Sequence, residues 1–255
     1  MIEPNLQGTR YAVIISKTEK IARLAYLFGL LGLIGLFIGI GLSVFIEHMQ
    51  HGDKYSLLQF SISELGTYNR SSSAILINAG LFFGSLSLTM SALFGLQINR
   101  TITGTLFWLS LIVTFLALAA TGLFPLNVYH LHIQAVSIFI YFGFFSALLG
   151  LIDGLIMRKA QYIMPMVFAC LMVGIHGAIL TWPYWGGGVG VGENPFSEGL
   201  LFQAIVSQSP KPQTWWLSIL FWLSIITTWL WVLSICRCYF LPQGQSKADK
   251  PKPKV

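Results

Sequence analysis

"LAYLFGLLGLIGLFIGIGLSVFI", residues Leu24–Ile46, runs for twenty-three positions without a charged side chain. A helix of about 20 apolar residues covers the hydrocarbon core of a bilayer. The run is continuous rather than alternating, which excludes a strand of a closed β-barrel. It is too long for a signal-peptide core, and no small-x-small cleavage site follows it. Arg10, Lys17, Lys20 and Arg23 precede it and Glu47 ends it. The stretch therefore reads as a retained transmembrane helix.

Five more runs of this kind follow, near Ser73–Ile98, Ile102–Phe124, Leu131–Met157, Tyr162–Trp182 and Trp215–Ile235. The whole chain has 55% hydrophobic and 9% charged residues and a mean hydropathy of +0.72. A soluble domain carries about 25% charged residues, so this chain belongs in lipid. The expected fold is all-α: a polytopic membrane protein, a six-transmembrane-helix bundle over residues 23–240. Residues 1–22 form an N-terminal segment, and 241–255 ("LPQGQSKADKPKPKV") a disordered basic tail. The net charge of +6 does not point to nucleic acid, because the basic residues stand singly at the ends of apolar runs. The expected partners are membrane lipids. The three cysteines give no disulfide framework.

Those basic residues set the orientation. One face of a six-span bundle carries Arg10, Lys17, Lys20, Arg23, Arg100, Arg158, Lys159, Arg237 and four tail lysines; the other carries Lys54, Arg70 and Lys211. By the positive-inside rule both termini are cytoplasmic. The long connections, 47–72 and 183–214, then lie on the outer face, where elaborated loops point to function.

Helices in lipid associate through close backbone approach and polar contacts. Gly29, Gly32, Gly35 and Gly39 line one face of the first helix. Gly80, Gly84, Ser87, Ser91 and Gly95 form one seam on the second. Both stripes read as packing. "GGGVGVGENP" (186–195) lacks the preceding strand and the lysine of a phosphate loop and reads as a hinge. A short surface helix capped by Asn194 is expected behind it.

All five histidines fall in the outer half under this topology. His176, in "VGIHGAIL", lies within the fifth span, where an ionisable side chain is costly and marks a functional hypothesis. His130 and His132 open the fourth span. Glu64 and Glu198 lie on the same side. Histidine and carboxylate are zinc ligands, so Glu64, His132 and His176 form a candidate metal set; two histidines on facing helices also suit haem. No H-E-x-x-H signature is present, and no cofactor is expected in the leading reading. That reading is a hydrogen-bonded polar network that also forms a pocket. Ser63 beside Glu64 has no Gly-x-Ser-x-Gly elbow, so a hydrolase triad is not indicated. Asp153 is expected to pair with Arg158 or Lys159, or to meet water.

"FSISELG" (60–66), "ILINAGLFFG" (75–84) and "GLFPLNVYHLHIQAVSIF" (122–139), in that order, resemble domain-of-unknown-function family 998. That family comprises six-helix membrane proteins of bacteria and archaea, distantly similar to the FRAG/DRAM/SFK group, some of whose members are tied to lipid handling. The resemblance implies a bacterial or archaeal cell membrane. It picks out Ser63, Glu64, Gly66, Asn78, Gly80, Gly84, Gly122, Phe124, Pro125 and His132. Where the family often has an acidic residue after Phe-Pro, this chain has Asn127. Only Glu198 stands near the place of the family's Glu-Arg.

The sequence thus predicts an outer polar pocket built from Ser61, Ser63, Glu64, Asn78, His130, His132, His176 and Glu198, binding a lipid or small ligand. The alternative is a metal- or haem-dependent enzyme at the outer leaflet. Ser61 or Ser63 is expected to cap the second membrane helix, with Glu64 at its outer end paired to the histidine of the fourth span.

Overall fold

The structure, a computed structural model, describes residues 6–52, 60–158, 160–185 and 214–241. Its helices are α1 (Leu6–His51), α2 (Ile62–Leu65), α3 (Ala74–Ile98), α4 (Ile102–Leu123), α5 (Tyr129–Met157), α6 (Ile163–Trp185, preceded by a 3₁₀ turn at Ala160–Tyr162) and α7 (Trp216–Tyr239). All but α2 contain a stretch long and apolar enough to cross a membrane. The six-helix bundle read from the sequence is present, with bounds within a few residues at most ends.

The exception is α1. It is 46 residues long, roughly 70 Å at 1.5 Å per residue, well over the ~30 Å hydrocarbon core. The helix continues through the polar residues before Leu24 because no proline interrupts them.

Each membrane helix packs on the next, and α7 returns to α1, closing a ring. Successive helices are antiparallel. Ser91 Oγ donates to Ala25 O (2.7 Å) at one end of the α1–α3 pair, while Ser43 Oγ donates to Ser73 O (3.3 Å) at the other. The last closure is fastened by Trp229 Nε1, which donates to Leu33 O (3.0 Å).

Burial differs from that of a soluble protein at both ends of the scale. Ser43, Ser85, Thr114, Ser146, His176 and Ser224 are 0% exposed, whereas Phe37 is 66% and Ile75 69% exposed. Polar side chains are held in the interior beside an apolar core that includes Phe107 and Trp231, and many large apolar side chains face outward, as lipid allows.

The glycine stripes do pack. A Cβ on Gly39 would stand 2.6 Å from Gly80 Cα, and one on Gly32 2.6 Å from Gly84 O. The single-seam expectation for α3 is corrected, however. Gly95 faces Trp108 of α4, and on α1 Gly29 faces Cys236 of α7. A helix with two neighbours needs close approach on two sides.

Candidate functional site

Two ends of the bundle differ in character. One holds Lys17, Lys20, Arg23, Arg100, Arg158 and Arg237. The other, hydroxyl-rich end holds Glu47, the 60–73 segment, the α4–α5 turn and the start of α7.

The 60–73 segment is pinned from several directions. Phe60 O accepts from Ser218 Oγ and Trp222 Nε1 of α7, both at 2.9 Å. Asn78 Nδ2 of α3 donates to Gly66 O at 2.9 Å. Asn127, in the α4–α5 turn, accepts from Tyr68 N (2.8 Å) and donates to Tyr68 O (3.2 Å). That backbone clamp needs both a donor and an acceptor, which asparagine supplies and an ionised carboxylate does not.

Within the segment Ser61 is the N-cap of α2, and Glu64 reaches back to accept from Ser61 N at 2.8 Å. Ser61-x-x-Glu64 is the capping-box pattern; this was the signal in the sequence for a separate helical turn here. The expected role of Ser61 or Ser63 as the cap of α3 is therefore corrected. Ser73 takes that position.

Glu64 is 2% exposed and pairs with Arg70, Oε1 to Nη2 at 3.1 Å. Its expected partner, His132, is engaged elsewhere. His132 Nδ1 lies 2.7 Å from Phe124 O, and Nε2 lies 2.9 Å from Ser63 Oγ. A carbonyl only accepts, so Nδ1 carries the proton, and Nε2 of the neutral ring accepts from the Ser63 hydroxyl.

Two small cavities meet at this pair. One of about 40 Å³ is lined by Ser63, Asn78, Thr121, Pro125 and His132 among apolar side chains that include Leu118, Phe139 and Phe221. The other, about 20 Å³, is lined by Ser61, Ser63, His132, Leu126 and Trp215 among others. At about 10–15 Å³ per water, the larger has room for roughly three waters.

His176 is placed apart from this group. It is fully buried, with Nδ1 3.1 Å from Ile140 O and Nε2 2.7 Å from Ser224 Oγ, and its ring lies edge-on to Phe139. Gly143 makes room for the ring, since a Cβ there would sit 2.4 Å from His176 Cε1. The metal set Glu64, His132 and His176 is not brought together. The ring nitrogens of both histidines bond to separate carbonyls and serines, and among the described residues no three His, Cys, Asp or Glu side chains converge. The Nε2 atom of each ring is engaged by its own serine. His130 and His48 are exposed. Glu198 and the hinge-and-helix expectation around Asn194 lie outside the described residues.

A third cluster escaped the sequence reading. Glu47, near the end of α1 and 5% exposed, accepts at Oε1 from Ser71 Oγ (2.6 Å) and Ser73 Oγ (3.2 Å). The signal was a carboxylate at the end of one apolar run and a serine triplet at the start of the next. At the opposite end, Asp153 accepts from Tyr239 OH (2.8 Å) and Thr103 Oγ1 (3.2 Å) rather than pairing with Arg158.

Ser63, Glu64, Gly66, Asn78, Gly122, Phe124, Pro125 and His132 thus share one neighbourhood: Gly122 packs on the Asn78 backbone, and Pro125 lines the larger cavity. No protein-family model, curated protein or solved structure matches the chain.

Proposed function

We propose that the hydroxyl-rich end binds the polar group of a lipid or another membrane-dissolved small molecule, recognised by Ser63 and His132. The observation that carries this is the 40 Å³ cavity, whose wall combines that pair with a largely apolar surround. A site of this kind takes one hydroxyl or carbonyl group and leaves the apolar remainder to the surrounding side chains. Five of the positions selected by the resemblance to family 998, Ser63, Gly66, Asn78, Pro125 and His132, line the cavity. By the positive-inside rule the site faces away from the cytoplasm.

A diazirine-bearing long-chain alcohol, photolysed in membranes holding the full chain, tests the reading. The label is expected on peptides spanning 60–81 and 118–139, and Leu118→Trp, which fills the cavity, should reduce it at least fivefold. Labelling spread evenly over the lipid-facing residues and unchanged by Leu118→Trp would sink the reading.

The 2.9 Å contact between Ser63 Oγ and His132 Nε2 favours a second reading. In it Ser63 Oγ attacks an ester carbonyl as His132 takes the hydroxyl proton, and the ester C–O bond then breaks, the alcohol leaving with that proton and the acyl group staying on Ser63. It ranks lower because His176 and Ser224 form the same arrangement, and neither of them lines the cavities at Ser63. Fluorophosphonate labelling of Ser63, lost in His132→Leu, would reverse the ranking; a wild-type protein that stays unlabelled excludes this reading.

A further inference from the structure

At the basic end, remote from the site above, a groove of about 640 Å³ opens between the start of α6 and the end of α7. Its volume is in the range of ligand sites. Met164, Pro165 and Phe168 form one wall, and Leu230 and Leu233 the other. Gln161, Ser234 and Arg237 are the polar side chains in its lining. Along α7 the lining runs from Leu230 to Cys238, roughly 12 Å at 1.5 Å per residue. That falls within the hydrocarbon depth of one leaflet, half of ~30 Å. Leu230 and Leu233 lie deeper along the helix, and Arg237 stands in its last turn.

Arg237 is exposed and makes no ion pair or side-chain hydrogen bond among the described residues. Asp153, the carboxylate behind this wall, is buried and already satisfied by Thr103 and Tyr239. The lining therefore presents a cation to whatever fills the groove. We propose that the groove holds an anionic phospholipid, with an acyl chain between α6 and α7 and the phosphate against Arg237.

Charge selects this occupant over two others. The chain's own tail carries Lys247, Lys250, Lys252 and Lys254 against a single Asp249, so it is repelled by Arg237. A second copy docked by two-fold symmetry on this face would bring Arg237 toward its own counterpart. A phosphodiester complements the guanidinium and leaves the acyl chain for the apolar wall.

The test is native mass spectrometry of the full chain in neutral detergent with phosphatidylglycerol or phosphatidylcholine of identical chains. Wild type is expected to retain phosphatidylglycerol about fivefold better, the increment for one basic residue against an anionic lipid surface. Arg237→Gln should abolish that preference, while Arg100→Gln, at the same end but outside the groove, should keep it. Leu233→Trp, which fills the groove, should lower retention of both lipids. The proposal is overturned if wild type shows no preference, if Arg237→Gln retains it, or if Leu233→Trp changes nothing. A dimer that disappears with Leu233→Trp, with no lipid preference, would assign the groove to a second copy instead.

Discussion

At the scale of single residues, the deciding feature is how each buried polar group is satisfied. Glu64 is nearly inaccessible, and Arg70, 40% exposed, supplies its countercharge. Arg70→Ala strands a buried carboxylate, whereas Glu64→Gln removes the charge and keeps an oxygen for Ser61 N. The first should therefore cost more, about 2–3 kcal/mol against about 1. Thermal unfolding in detergent checks the order, and equal losses would mean that Arg70 does not stabilise Glu64. Ser85 gives the opposite case. Its hydroxyl is buried and is the described side-chain polar atom left without a hydrogen bond. Ser85→Ala removes a desolvated group that gains nothing in return, so stability should hold or rise by up to about 1 kcal/mol. A loss above that would reveal a partner for Ser85. These residues also mark the limit of sequence reading. The position of Glu64 was legible, because a carboxylate among serines ahead of an apolar run stands out. Its partner was not, since Arg70 and His132 are equally suitable by type. Only the path of the 66–70 turn decides between them.

At the scale of helices, small residues matter only where a neighbouring backbone lies against them. The described glycines provide matched pairs. On α1, a Cβ at Gly39 meets Gly80 Cα at 2.6 Å, while one at Gly41 meets nothing within 4 Å. Backbone cannot swing aside as a flexible side chain does. Gly39→Ala should therefore destabilise the protein by about 1–3 kcal/mol, and Gly41→Ala should be neutral or slightly stabilising through helix propensity. The same contrast holds near His176. Gly143→Ala intrudes on the imidazole and should displace it from Ser224, whereas Gly174→Ala enters open space. Equal melting temperatures for the two members of either pair would refute the assigned packing. Spacing predicted the stripes correctly but not their division between neighbours. Gly95 keeps the period of its stripe and yet faces α4, and Gly29 abuts both Cys236 of α7 and Ser91 of α3, because a helix in a closed ring is approached from two sides.

At the scale of the molecule, the six spans could be read directly, since lipid demands long uncharged runs. The ring order could not, because a face turned to lipid and a face turned to another helix are both apolar. What separates them is the set of buried hydroxyls, such as the Thr114–Ser146 contact at 3.0 Å between α4 and α5. These become informative only once both partners are placed. The antiparallel ring fixes which connections share an end, but not which end faces the cytoplasm. Charge supplies that step. Among the described residues the hydroxyl-rich end carries Arg70, already paired with Glu64, against six cations at the other end. By the positive-inside rule this imbalance predicts a cytoplasmic basic end. Tyr68→Cys, in the exposed turn before α3, should react with a membrane-impermeant maleimide on intact cells. Arg100→Cys, in the α3–α4 turn, should react only after the membrane is opened. The native Cys236 and Cys238 are buried, and Cys170 is exposed within the apolar span of α6, so the parent protein is labelled in parallel as the background. The reverse labelling pattern would turn the molecule over. The Ser63–His132 pocket would then open to the cytoplasm, and Arg237 would meet the opposite leaflet.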